Sequence, residues 1–219
     1  MHDALPETVT FRFARWPDEE GSEDMQFRLV YEGPLPSAGR GNPRMHEKHE
    51  IRRQLHPQLR ELVTTHPKIS HRLVPMDGWP ENESYTDVIG RMFSRCGFKF
   101  APLIGADVRF LGNVSACALD ILFLRRDAPG GLIKSGGDID NRIKVLFDAL
   151  RIPENCGELP VGQPPTADET PFFCLLQDDS LITQVAVTTD RLLTPLSGGH
   201  VNDVKLVIHV KALALGVDL

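Results

Sequence analysis

The chain has 219 residues, 41% apolar and 25% charged, which supports one elaborated globular domain and excludes wholesale disorder, collagen-like repeats and coiled coils. Its net charge of −6 gives no global basic footprint, and no apolar run approaches the ~18–20 residues needed to cross a bilayer. Residues 1–25 carry seven acids against two arginines and lack a basic-then-apolar pattern. They read as an acidic extension and not as a signal peptide, so the cytoplasm is the expected compartment and residues 26–219 the expected single domain.

Within that extension Val9, Phe11 and Phe13 alternate with polar residues and fit an edge strand without requiring one. Gln26 to Tyr31 alternates as a strand does and stops at Glu32-Gly-Pro-Leu-Pro-Ser-Ala-Gly39, a loop composition. From Met45 to Val63 the residues Ile51, Leu55, Leu59 and Leu62 recur at helical spacing, with Pro57 expected to kink or restart that helix. Residues 85–95 read as a second short helix closed at Gly97, and Asp107–Leu111 and Cys117–Leu124 as strands.

A Gly-rich loop at 129–137 leads into the clearest helix, 138–150, with one apolar stripe of Ile143, Leu146, Phe147 and Leu150. Five prolines and several acids mark 152–171 as a surface loop or insertion. Phe172–Leu176 reads as a strand, and Leu181–Thr188 with Val204–Val210 as an antiparallel hairpin. The elements predict an α/β (α+β) class, a small mixed β-sheet with flanking helices.

Charge is unevenly spread. Arg40, Arg44, Lys48, Arg52, Arg53, Arg60, Lys68 and Arg72 face only Glu47, Glu50 and Glu61 in one window, a local balance of +5 that leaves −11 for the remainder. His46, His49, His56, His66 and His71 share the window, so its positive charge is expected to rise at mildly acidic pH. Cys96, Cys117, Cys156 and Cys174 lie 21, 39 and 18 residues apart, which matches neither a disulfide miniprotein nor a CxxC site, and they are expected to be buried, reduced thiols.

The chemistry-bearing feature is a set of carboxylates at the edges of apolar segments: Asp138 and Asp140 at a helix start, Asp178 and Asp179 after a strand. Four clustered carboxylates repel unless a cation joins them, and hard oxygen ligands select Mg²⁺ or Mn²⁺. Asp140, Lys144 and Asp148 are spaced i, i+4, i+8 on the polar side of the helix. Taken singly, each feature is equally what a helix cap, a solvated helix face or a turn produces. A calcium loop is excluded because Ile143 occupies its glycine position, and no phosphate loop, Gly-x-Ser-x-Gly or His/Cys zinc spacing is present.

Gly137-Asp-Ile-Asp-Asn-Arg-Ile-Lys-Val-Leu-Phe-Asp-Ala-Leu150, followed by Leu176-Gln-Asp-Asp-Ser-Leu-Ile182, resembles the RusA-type Holliday junction resolvases. The family pattern is Asp-x-Asp-Asn, Lys, Asp-Ala-Leu, then Asp-Asp before a hydrophobic strand, all present in order. The Pro-rich segment 32–37, the basic helix at 45–63 and the strand Asp120–Arg126 are similar to the family's front end. The resemblance implies that Asp138, Asp140 and Asp179, with Asp178 beside them, hold a catalytic Mg²⁺, and that Lys144 is needed for cleavage. Asn141 and Asp148 match further motif positions.

It also implies a homodimer that nicks four-way or related branched DNA, with Arg40, Arg44, Lys48, Arg52, Arg53, Arg125 and Arg126 expected on backbone phosphates. Relative to that pattern, 73–106 and 151–172 read as insertions. The alternative is a nucleic-acid- or partner-binding module on the same scaffold that does not cut. Hydrolysis of a free nucleotide is disfavoured by the missing phosphate loop.

Overall fold

The computed structural model describes residues 25–38, 44–65, 85–105, 114–126, 139–196, 199 and 202–214. The expected strand at Asp107–Leu111 and the segment Val9–Phe13 lie outside them. Two mixed sheets and a few flanking helices form an α+β fold.

The larger sheet is built from β1 (Met25–Pro34), β4 (Val114–Arg125), β6 (Ile182–Arg191) and β7 (Asp203–Ala214), in the order β1-β7-β4-β6. Period-2 alternation decides its faces. Phe27, Leu29 and Tyr31 of β1, Leu206, Ile208 and Val210 of β7, and Leu119, Ile121 and Phe123 of β4 are all buried on one face. At ~25 cal/mol per Å² this shared burial is the main stabilising term of the sheet.

The expected β6–β7 hairpin does not form. β7 runs antiparallel to both β1 and β4, while β6 runs parallel to β4 on its other side. The reason lies in the side chains: β7 buries Val204, Leu206, Ile208, Val210 and Ala212, as an interior strand must, whereas β6 is mostly exposed and takes an edge.

The smaller sheet joins β2 (Ser94–Arg95), β3 (Phe98–Ile104) and β5 (Phe172–Leu176) in that order, with β3 and β5 parallel. β5 is buried along its whole length and β3 everywhere but Lys99, the continuous apolar run of strands covered on both faces. The residues read as an insertion thus contribute a core strand. Positive φ at both Cys96 (54°) and Gly97 (86°) makes the tight turn between β2 and β3, so the helix expected over 85–95 ends earlier, as α2 (Tyr85–Met92).

Helix α1 (Met45–Thr65) continues through Pro57, contrary to the expected kink. Pro57 lies on the exposed side, and the one bond it forfeits is to the Arg53 carbonyl. Ile51, Leu55, Leu59 and Leu62 are buried. The Gln58 amide donates to the Val30 carbonyl (2.7 Å) and accepts from the Val30 N–H (2.9 Å), sealing the open edge of β1. Helix α3 (Ile139–Leu150) follows β4 and buries Ile143, Leu146 and Leu150 as the stripe predicts, with Phe147 partly buried.

The stretch 152–171 is more than a surface loop. Ile152, Leu159 and Glu169 are buried in it, and two short 3-10 turns, Cys156–Glu158 and Ala167–Glu169, organise it. Cys96 and Cys156, expected to be reduced, form a disulfide with Cα atoms 5.7 Å apart, while Cys117 and Cys174 are buried free thiols as expected. Burial pushes both free thiols up to about 12, so they are inert at neutral pH. No helix among the described residues is long and apolar enough to cross a membrane.

Candidate functional site

The N-terminus of α3 is anchored by a residue that periodicity assigns to no role. Arg142 is buried and donates to the Leu35 carbonyl and to Asn202 Oδ1 (3.1 Å), while the Ala38 N–H bonds the Asn141 carbonyl (3.3 Å). With Arg142 turned inward, Asp140, Asn141 and Lys144 are exposed on the opposite face. Asp140 stands in the first turn, where the helix dipole favours an anion. Asp138 lies outside the described residues. Asp148, two turns on, is drawn instead into the α1 interface, 2.7 Å from Lys48 Nζ and 3.5 Å from Arg151.

The second acidic pair follows β5. Leu176 is tied to the residues just after α3, through the Ile152 N–H (2.9 Å), and the Gln177 N–H bonds the Ile104 carbonyl (2.8 Å). Asp178 then caps the short 3-10 turn Asp179–Leu181, its Oδ1 accepting the Ser180 N–H at 2.9 Å. The Ser180 hydroxyl and N–H hold its carboxyl below the usual carboxylate range, with Arg151 adding at longer reach. Asp178 and Asp179 are both half-buried.

These positions put the two acidic groups at opposite ends of α3. Asp140 opens the helix, beside Leu35 and Asn202; Asp178 follows a strand end fixed to Arg151 and Ile152 beyond its last turn. The helix has 12 residues, about 18 Å at ~1.5 Å per residue. Among the described residues no group of three His, Cys, Asp or Glu is arranged to hold a metal ion. The donor chemistry, carboxylate oxygen only, nevertheless suits Mg²⁺ or Mn²⁺ over softer ions.

The basic window is largely spent inside the molecule. Arg52, expected on DNA, has a fully buried side chain: its Nε donates to the Arg151 carbonyl (3.2 Å), Nη2 to the Asp148 carbonyl, and Glu158 lies at 3.5 Å. Taking it off the surface corrects the sequence reading, and the cause is the α1–α3 packing that it bridges. Arg53 pairs with Glu169 (2.8 Å) and Gln163 (3.2 Å), and Arg44 with Glu47 (3.2 Å) and the Ser37 carbonyl (3.2 Å). Arg125 is also buried, at the end of β4, leaving Arg126 exposed; Arg40 is outside the described residues. The acids that neutralise α1 come from Asp148 and the Pro-rich stretch 152–171.

Two of the window's histidines do not charge as expected. His49 and His56 are buried between α1 and the aromatic cluster of Phe98, Phe172 and Phe173. Burial holds His49 down at about 4, with Arg53 and Arg52 adding to it. Burial also lowers His56, whose Nδ1 accepts the Phe173 N–H (2.9 Å). His49 has no hydrogen-bond partner on either ring nitrogen and borders a cavity of about 290 Å³ with Tyr31, His46, Glu47, Glu50, Arg53 and Gln163. Periodicity carries no signal for this cavity, because it depends on how α1 meets the end of β1.

No family model, curated protein or solved structure matches the chain.

Proposed function

We propose that this chain is a Mg²⁺-dependent endonuclease of the RusA type acting on four-way or related branched DNA, as a homodimer. The observation that carries the reading is the division of labour on α3. Arg142 and the apolar stripe fasten the helix, while Asp140, Asn141 and Lys144, the motif positions, are exposed together on its other side.

Asp138 and Asp140 would hold the ion, and Asp178 and Asp179, at the far end of α3, would have to reach it from the second copy of the homodimer. A bound Mg²⁺ would supply Lewis-acid stabilisation of the charge that develops on the phosphodiester and a more acidic water. The chain's own residues do the positioning. Lys144, one turn from Asp140, neutralises a phosphate oxygen at the same helix end, and Arg126 offers a further cation beyond β4. Ser180 fixes the Asp178 carboxylate, its N–H on Oδ1. A second reading, a binding module that does not cut, is favoured by the separation of the two acidic groups along α3.

Labelled four-way junction, fork and linear duplex, each with Mg²⁺ or EDTA, test the proposal against Asp140→Asn. Paired nicks on branched DNA that need Mg²⁺ and vanish in the variant are expected. Tight branched-DNA binding without cutting by the wild-type protein selects the binding module, and neither binding nor cutting overturns both.

A further inference from the structure

The cavity made by α1, the end of β1 and the stretch 152–171 is lined mainly by groups that accept hydrogen bonds. His49 is its buried member. Only 1% exposed, it leaves both ring nitrogens without a hydrogen-bond partner, and in the neutral ring these are one acceptor and one N–H. An imidazole buried in that way is unfavourable, and an occupant that meets a nitrogen recovers part of the loss. The Tyr31 hydroxyl donates to the Pro34 carbonyl (2.9 Å), which leaves its oxygen to accept. Glu47 and Glu50 add carboxylates, while the guanidinium of Arg53 is already committed to Glu169 (2.8 Å) and to Gln163 Oε1 (3.2 Å).

Charge narrows the occupant further. Glu47 shares its charge with Arg44 (3.2 Å), whereas Glu50 forms no ion pair among the described residues. Burial, and then the carboxylates of Glu50, Asp203 and Glu47, hold the Tyr31 hydroxyl well above its usual range, so the potential at that hydroxyl is negative. A volume of about 290 Å³ is at the small end of ligand cavities, and the exposed His46, Glu50 and Gln163 open it to solvent. We propose that this cavity binds a small organic amine as its ammonium ion, with Glu50 meeting the charge and the Tyr31 oxygen and a His49 nitrogen accepting N–H donors. An ammonium group brings three donors and no acceptor, the complement of this lining. An anion would meet Glu47 and Glu50, and a neutral alcohol would gain nothing from the charge of Glu50. None of the motif residues on α3 or after β5 lines the cavity, so the amine site and the endonuclease reading can each fail alone.

Isothermal titration of the full chain at fixed ionic strength compares putrescine, its uncharged isostere butanediol, inorganic phosphate and Zn²⁺, while nitrogen NMR follows the imidazole rings. Putrescine is expected to saturate a single site with a dissociation constant below about 1 mM and to shift the His49 ring signals with the same constant. Butanediol should bind at least about tenfold more weakly. Glu50→Gln, at an exposed position, should weaken putrescine by about the same factor. His49→Phe, which keeps a ring against Phe98 and Phe172, should weaken it as well, and both variants should retain the wild-type far-UV circular dichroism. Glu61→Gln, exposed further along the same helix, should leave binding unchanged. The absence of saturable binding overturns the proposal, as does binding that leaves the His49 signals in place. Equal weakening by Glu50→Gln and Glu61→Gln would reduce the effect to ionic attraction along α1 and overturn it too. Tighter binding of phosphate or Zn²⁺ at His49 would assign the cavity to an anion or a metal ion instead.

Discussion

Helices α1 and α3 turn their polar residues in opposite directions, α1 into the fold and α3 to the surface. Arg44, just before α1, and every described cation of its first three turns are met from within: Arg44 by Glu47, Lys48 by Asp148, Arg52 by backbone carbonyls and Glu158, and Arg53 by Glu169. α3 turns one arginine, Arg142, inward and leaves Asp140, Asn141 and Lys144 in water. The difference teaches that charge counted along a chain is not charge presented at its surface. α1 spends its basic composition inside the fold, and α3 keeps a polar face exposed.

The comparison breaks most sharply at Arg52. Arg52→Ala leaves the Asp148 and Arg151 carbonyls without their buried donor, Glu158 keeping its pair with Arg151, and a loss of about 3–5 kcal/mol is expected in denaturant unfolding. Arg52→Lys should recover little of it, because an ammonium cannot reproduce the fork that bridges the two carbonyls. Near-wild-type stability in Arg52→Ala would mean that the α1–α3 junction is held by apolar packing alone. Next in size is the Cys96–Cys156 tether. It closes a 60-residue separation and fastens the turn before Glu158, so reduction, or Cys96→Ser with Cys156→Ser, is expected to cost about 2–4 kcal/mol. Both cysteines are exposed, so dithiothreitol should act on the folded protein, with a lowered melting temperature as the readout.

Much of this was readable before any coordinates. Alternation marks β1, the four-and-three spacing marks α1 and α3, and the apolar runs Cys117–Leu124 and Phe172–Leu176 mark β4 and β5, because burial against one face or both leaves those patterns in the sequence. β3 escaped because Pro102 argues against a strand and both its faces are buried, so nothing alternates. It tolerates the proline since β2 pairs only as far as Lys99, leaving Pro102 with β5 alone. The hairpin was misread since two adjacent strands in sequence pair by default, and only the exposure of β6 against the burial of β7 shows that β4 separates them. Asp140 and Lys144 were legible as a site by motif. That Arg52 lies inside, and that Asp178 falls at the far end of α3, depends on contacts almost a hundred residues apart, which no local period records.

The pH dependence sharpens the same contrast. His49 is neutral in the fold, held down at about 4, against 6.5 for an unrestrained histidine. Between those values the unfolded chain binds the proton and the folded one does not, so stability rises with pH across that window and is lost as pH falls from about 6.5 towards 4. About 2 kcal/mol is expected to disappear between pH 7 and 4.5 in urea titrations, and His49→Leu, which cannot titrate, should flatten that part of the curve. Glu169 moves the same way lower down. Burial alone would raise it, but the Thr166 N–H and Arg53 outweigh that and hold it below its usual range, so its contribution is lost as pH falls through that lowered value. Identical slopes in wild type and His49→Leu would show that the imidazole is solvated, with water in the adjoining cavity meeting both nitrogens.

The smallest effect belongs to Arg60, and its smallness is the point. It lies on the same helix as Arg52 and reaches the same acidic stretch, but its partner Asp168 is 90% exposed and 3.7 Å away. Water screens such a pair almost completely, so Arg60→Ala should change stability by less than about 0.5 kcal/mol. Two arginines eight positions apart would then differ roughly tenfold in what their loss costs, for one reason: the Arg52 side chain is wholly out of water on two backbone carbonyls, while Arg60 stays largely in solvent and reaches the Asp168 carbonyl (3.2 Å) from there. A loss at Arg60 approaching that at Arg52 would mean that the 152–171 stretch is held by its charges collectively, and that α1's outer cations belong to the same network as its inner one.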